Sequence, residues 1–330
     1  MNRSGVSPLR LVGMSVVATL LMAGCSSSST SSTTPTPTPA LQNIYVTNTS
    51  ASSSVLTFPL TATGNVAPSN TITGAATGLS DPHRIAFDSS GNVYVTNANV
   101  AAQSVTVYAP GATGNATPTA TIAGAATGIN GPNGIALDAT NKIYVANRNA
   151  NSITVYAAGA NGNAAPVATI SGASTGLNLP HGLALDGTGN IYVANEGGNS
   201  VTIYAAGSNG NVAPTTTISG AATLLAAPHG LVLDGALNIY VACDTPDSIV
   251  EFAAGANGNV APITDITGAA TGLNHPNGVS LDAHNNVYAV NIATPSVTMY
   301  SAGSTGNVAP TATISGAATG FTSPHGITVH

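Results

Sequence analysis

The stretch Leu179–Glu196 reads "LPHGLALDGTGNIYVANE", and five relatives of it lie along the chain. They are "DPHRIAFDSSGNVYVTN" from Asp81, "GPNGIALDATNKIYVAN" from Gly131, "APHGLVLDGALNIYVAC" from Ala227, "HPNGVSLDAHNNVYAVN" from His275 and a truncated "SPHGITVH" from Ser323. The tyrosine of this phrase falls at Tyr45, Tyr94, Tyr144, Tyr192, Tyr240 and Tyr288, and its proline at Pro82, Pro132, Pro180, Pro228, Pro276 and Pro324. Both series step by 48 to 50 residues, so six repeats fill Leu41–His330 as one domain. A fixed period of this length marks a repeat architecture.

Each repeat carries four short strand signals. Around the opening stretch they are "GLALD" (Gly182–Asp186), "NIYVAN" (Asn190–Asn195), "SVTIYAA" (Ser200–Ala206) and "PTTTISG" (Pro214–Gly220), here called a, b, c and d. All are rich in β-branched residues or tyrosine, and turn residues separate them. No segment has helical periodicity. Four strands per unit of about 48 residues, six times over, predict an all-β fold, a six-bladed β-propeller with four-stranded blades. The chain enters on a b strand, "LQNIYVTN", and leaves after an a strand, "HGITVH". Pairing these two closes the ring and removes its open sheet edges.

The phrase P-H-G-I/L-A-L-D-x-x-G-N-I-Y-V-A-N resembles the NHL repeat, over all six units. The resemblance implies the propeller fold. It leaves function open, because NHL-like propellers include RNA binders, protein-interaction modules and some enzymes.

Residues 1–24 read as a lipoprotein signal peptide. Arg3 and Arg10 give a basic start, and Leu11–Ala23 is an apolar run too short to span a membrane. "LMAGC", Leu21–Cys25, resembles the bacterial lipobox, although Met22 stands where that pattern prefers leucine. The expected lipid attachment is Cys25. Residues 25–40 continue as a Ser/Thr/Pro-rich tether of about 20 Å as a coil, or about 45 Å in polyproline II. The expected location is the bacterial cell envelope, outside the cytoplasm, on the outer membrane or cell surface. Cys243 is then the one remaining thiol, which excludes an intrachain disulfide framework and reads as buried structure.

Only five residues are Lys or Arg against eleven Asp or Glu, and removing residues 1–24 takes the net charge from −6 to −8. Such a surface cannot neutralise a phosphate backbone, so nucleic acid is excluded as a partner. Glycine-rich segments such as "AAGANGNVAP" have no following lysine or helix and read as c–d turns. Asp88, Asp138, Asp186, Asp234 and Asp282 end the a strands. One carboxylate per blade does not make a calcium cage of six to eight oxygens, so they read as turn formers. The strand tyrosines and Phe58 and Phe252 recur by position and read as packing between sheets.

Strand direction places the b–c loops and d–a connections on one face. That face collects the candidate ligand-binding residues. A polar ring at the start of strand a reads His83, Asn133, His181, His229, Asn277 and His325, with Arg84 beside it. Arg148, Glu196, Asp244 and Asp247 fall in the variable b–c loops, where a rigid scaffold usually carries recognition. Because His and Asn interchange around the ring, the position reads as a backbone-bonding one, with no metal, no cofactor and no catalytic residue. The leading expectation is a monomeric, non-enzymatic binding or scaffold propeller, lipid-anchored, that recognises a protein, peptide or glycan. The alternative is a metal-dependent lyase or lactonase-type enzyme that uses the histidine ring at the channel mouth.

Overall fold

The computed structural model describes residues 42–49 and 52–330. The expected signal peptide, the expected lipid attachment at Cys25 and the expected tether lie outside the described residues. Six four-stranded antiparallel sheets stand around a common axis. In the blade of the opening stretch the strands run Pro180–Leu185, Ile191–Asn195, Ser200–Tyr204 and Thr216–Ser219, from the axis outward. The expected closure is present. Pro324–Val329 pairs with Asn43–Asn48, matching Ile44 to Val329 and Val46 to Ile327.

Blades pack face to face, so a b strand is buried on both sides. All five residues of Ile191–Asn195 are buried. One apolar cluster joins Tyr144, Ile153 and Ile170 of one blade to Leu183, Val193 and Tyr204 of the next. The Tyr204 hydroxyl donates to the Thr175 carbonyl at 2.6 Å, and Tyr156 and Tyr300 repeat this bond. Cys243 is buried, and burial pushes its thiol up to about 11.

The a–b turns are made by aspartate, as read from the sequence. Asp186 Oδ1 accepts the backbone N–H of Thr188 and Asn190, both at 2.9 Å, and Asn190 Nδ2 donates to Oδ2 at 2.8 Å. Asp88 and Asp282 do the same. A carboxylate engaged in this way is a turn former.

Two local expectations need correction. The c–d loops are more than turns, because each clips onto a neighbouring blade. Gly210 N–H donates to Thr169 O at 2.7 Å, and Asn211 Oδ1 accepts the N–H of Ser174 at 2.8 Å. Asn65 and Ala318 make the same bond across the ring closure, at 2.7 Å. The d–a connections also hold single 3-10 turns, such as Ala75–Thr77 and Ala221–Thr223. Three residues are too few to leave a periodic signal in the sequence.

Candidate functional site

Strand a begins at the proline, two residues earlier than the apolar pattern suggests. Pro180 already pairs with Asn195, and the register slips between Pro180 and Leu183. This bulge lifts the residue after the proline out of the ladder. The glycine that follows lets neighbouring strands crowd the axis. A Cβ on Gly134 would sit 2.6 Å from the His181 carbonyl oxygen, and one on Gly230 would sit 2.8 Å from that of Asn277. The six expected ring residues are thereby brought together at one mouth of the channel. With Arg148, Glu196, Asp244, His275 and Ile292 they line a pocket of about 350 Å³.

The second repeat has Arg84 where the other strand-a entries have glycine. Arg84 does not line the mouth pocket. It lies beneath it and borders a second cavity of about 270 Å³, lined by the inner strands. The buried guanidinium donates from Nη1 to Asn277 Oδ1 at 2.8 Å, to His325 O at 3.0 Å and to His83 O at 3.4 Å. From Nη2 it donates to Asn277 O at 2.8 Å and to His181 Nδ1 at 3.1 Å. Burial draws it down to about 9, which leaves it charged at neutral pH.

These bonds decide where protons sit on the rings. Guanidinium can only donate, so His181 Nδ1 is an acceptor, and the proton of the neutral ring is on Nε2. Arg84 likewise fixes the Asn277 amide with Oδ1 toward itself. Asn277 Nδ2 then donates to His229 Nδ1 at 3.0 Å, and the His229 proton is also on Nε2. The two rings stack with centroids 4.3 Å apart. Burial, the adjacent His229 ring and Arg84 hold His181 well below the usual imidazole range. Burial first, with Arg84 and Arg148, brings His229 down to about 4 despite Glu196 nearby.

On the other side of Asn133, His83 Nδ1 donates to Asn133 Oδ1 at 2.8 Å, and its Nε2 is 3.5 Å from Asp81 Oδ1. With Nδ1–H on Asn133, Nε2 can donate to Asp81 only when the ring is an imidazolium, and this contact with His83 is the largest influence holding the Asp81 carboxyl below the ordinary range. His83 stacks on His325 with centroids 4.7 Å apart. His325 Nδ1 meets Thr49 Oγ1 at 2.9 Å and Ser323 O at 3.2 Å, and burial takes its ring down to about 3. The expected backbone-bonding role therefore holds for His325. His83, His181 and His229 instead meet side chains, those of Asn133, Arg84 and Asn277 respectively.

The b–c loops supply a second charged group. Glu196, just past its b strand, is forked by Arg148 Nε at 2.7 Å and Nη2 at 2.8 Å. Burial alone would raise this carboxyl, but the Arg148 fork holds it below its usual value. Glu196 Oε2 is 3.9 Å from His229 Nε2. Asp244 accepts from His275 Nδ1 at 2.9 Å. Asp247 does not line the pocket, and its carboxylate accepts the His275 backbone N–H at 2.7 Å. His275 was not among the expected residues. Its signal is its place directly before the ring's proline, the position that Asp81 holds in the second repeat.

His181, Glu196 and His229 offer atoms within 4.8 Å of one another, close enough for a shared metal ion. Their chemistry does not fit one. A metal takes a deprotonated imidazole nitrogen and a free carboxylate. Here both Nδ1 atoms accept N–H bonds, both Nε2 atoms carry protons, and Glu196 is committed to Arg148. The arrangement offers N–H donors to an acceptor oxygen.

Fold and mouth together define a six-bladed propeller with a buried imidazole cluster at one end of its channel. The family model described as SMP-30/Gluconolactonase/LRE-like region matches residues 26–218. The chain belongs to this SMP-30/gluconolactonase/LRE-like family. That membership overturns the expectation of a non-enzymatic module, because the family points to enzymatic propellers. No curated protein sequence matches the chain. Solved structures share its fold at low identity. A protein of unknown function from Bacteroides caccae superposes with a TM-score of 0.63 at 10% identity, covering 88% of this chain and 99% of that one. The periplasmic gluconolactonase of Pseudomonas aeruginosa gives 0.54 at 14%, covering 79% of each. A catalytically inactive virginiamycin B lyase variant from Staphylococcus aureus, solved with quinupristin, gives 0.54 at 11%, covering 81% and 83%.

Proposed function

We propose that this protein is a lactonase-type enzyme that opens a cyclic ester at the histidine mouth. One observation carries the reading: the mouth divides its imidazoles by protonation. His83, with Nδ1–H on Asn133, presents Nε2 as a proton acceptor. His181 and His229 present Nε2–H as donors. A base beside preorganised donors is what acyl transfer to water needs. Family membership and the lactonase among the fold's neighbours support the same class.

In this scheme His83 Nε2 takes a proton from water, and the water oxygen attacks the lactone carbonyl. The carbonyl electron pair moves to its oxygen, which the Nε2–H groups of His181 and His229 receive. Collapse breaks the ring C–O bond, and the alkoxide takes the proton from His83. Asp81, at 3.5 Å, stabilises the imidazolium in between. Neutral imidazole N–H groups are weak acids and act here as hydrogen-bond donors.

The test is hydrolysis of a panel of five- and six-membered lactones by the purified protein, followed by acid release. The expected result is turnover that falls about 100-fold or more in His83→Gln. Turnover unchanged in that variant would remove His83 from the reaction, and no turnover across the panel would remove the class.

We also propose that the enzyme works in the bacterial envelope, held by a lipid on Cys25. The basic start, the apolar run and the low-complexity tether support this. Loss of membrane fractionation in Cys25→Ala is the expected result, and retention after high-salt washing would contradict it.

A further inference from the structure

We propose that Arg84 is a positioning residue that acts from beneath the mouth, locking His181 and His229 as N–H donors and closing the mouth to divalent cations. The inference concerns the same mouth but does not depend on which reaction occurs there.

Arg84 is the sole break in a glycine position that the other five strand-a entries keep. Glycine there suits the crowding at the axis, so a long charged side chain needs a compensating role. The role is visible in its bonds. Its donors go to three backbone carbonyls, one amide oxygen and one imidazole nitrogen, and none goes to a carboxylate. A buried charge without a carboxylate partner is costly unless its donors are fully used. Here they are used to orient the ring residues from below.

The bond to His181 acts directly and the bond to Asn277 acts in relay. Were Arg84 absent, the Asn277 amide could turn and accept from His229 Nδ1–H, and His181 Nδ1 could carry its own proton. Both Nε2 lone pairs would then be free, His229 Nε2 lying 3.9 Å from Glu196 Oε2, and the three side chains would have the donor set of a metal site. With Arg84 present, that set is converted into donors for an acceptor oxygen. The guanidinium beneath them also adds positive charge, which favours a carboxylate or a developing oxyanion over a cation.

Two measurements on the full chain test this without using activity. In the first, long-range 1H–15N spectra report which ring nitrogen bears the proton, with His181→Gln and His229→Gln providing assignments. The wild type is expected to show Nε2–H and an unprotonated Nδ1 for both residues, and Nδ1–H at either would overturn the proposal. In the second, Zn2+ is titrated calorimetrically into wild type and Arg84→Met. The variant is expected to gain one site at least 10-fold tighter than any in the wild type, abolished by adding His229→Gln. A tight wild-type site that His229→Gln removes, or a folded Arg84→Met that gains none, would overturn the proposal. If Arg84→Met does not fold, the wild-type spectra and titration still decide.

Discussion

Arg84 Nη2 lies 3.1 Å from His181 Nδ1, and the same nitrogen lies 2.8 Å from the carbonyl oxygen of Asn277, two blades away. One guanidinium thus ties separate blades of the ring to a single protonation pattern.

Acid should weaken the fold through the buried rings. His229 has its folded value lowered to about 4 and His325 to about 3, against an ordinary 6.5. Below 6.5 the unfolded chain binds protons that the folded chain refuses, so stability falls as pH drops from 6.5 toward 4. Urea midpoints measured from pH 7 to pH 4 should decline across that window. In His229→Asn the decline should be shallower. A flat midpoint would show that these rings are not held neutral.

The interblade clip is testable at Gly172. Its φ is +118°, and a Cβ there would meet Asn211 Oδ1 at 2.5 Å. Gly172→Ala should cost about 2–3 kcal/mol, from backbone strain and the displaced Asn211. Asn211→Ala alone should cost about 1 kcal/mol. The double variant should lose less than the sum, because both changes break one contact. Additive losses by chemical denaturation would mean the two do not act together.

The strand-c tyrosines should each contribute through their hydroxyl. Tyr204→Phe leaves the Thr175 carbonyl without its 2.6 Å donor and should cost about 1–2 kcal/mol. A neutral change in the denaturation midpoint would contradict this bond.

The Arg148 fork offsets the pull of Glu196 on His229. Arg148→Ala should free the carboxylate, now 3.9 Å from His229 Nε2, to stabilise an imidazolium. The His229 titration, followed by NMR, should move upward in the variant. An unmoved or lowered titration would mean that Glu196 does not reach the ring.

Much of this fold is legible in the chain because repetition amplifies weak signals. A single "HGLALD" could open many strands, but six copies at 48 to 50 residues leave one closed architecture. The entry on a b strand and exit on an a strand reveal the closure without any contact information. Ring membership was legible for the same reason, since His83, Asn133, His181, His229, Asn277 and His325 occupy one register. The role of Arg84 was not, because a register gives an address and no side-chain direction. Its reach beneath the mouth depends on the bulge and on axial crowding, both products of closure. The Asn211 clip was hidden likewise, since its partner Ser174 lies on another blade and "NGN" reads locally as a turn. His275 stood outside the repeated phrase's ring position, although its place before Pro276 puts it on the same face.

The most direct measurement is lactone turnover by wild type after exhaustive chelation, followed across pH and compared with His83→Gln. The account predicts hydrolysis that persists in chelator, because Arg84 and the Nε2–H groups of His181 and His229 supply the positive end of the site, and that falls at least about 100-fold in His83→Gln. Turnover lost on chelation and restored by a divalent cation would contradict the account.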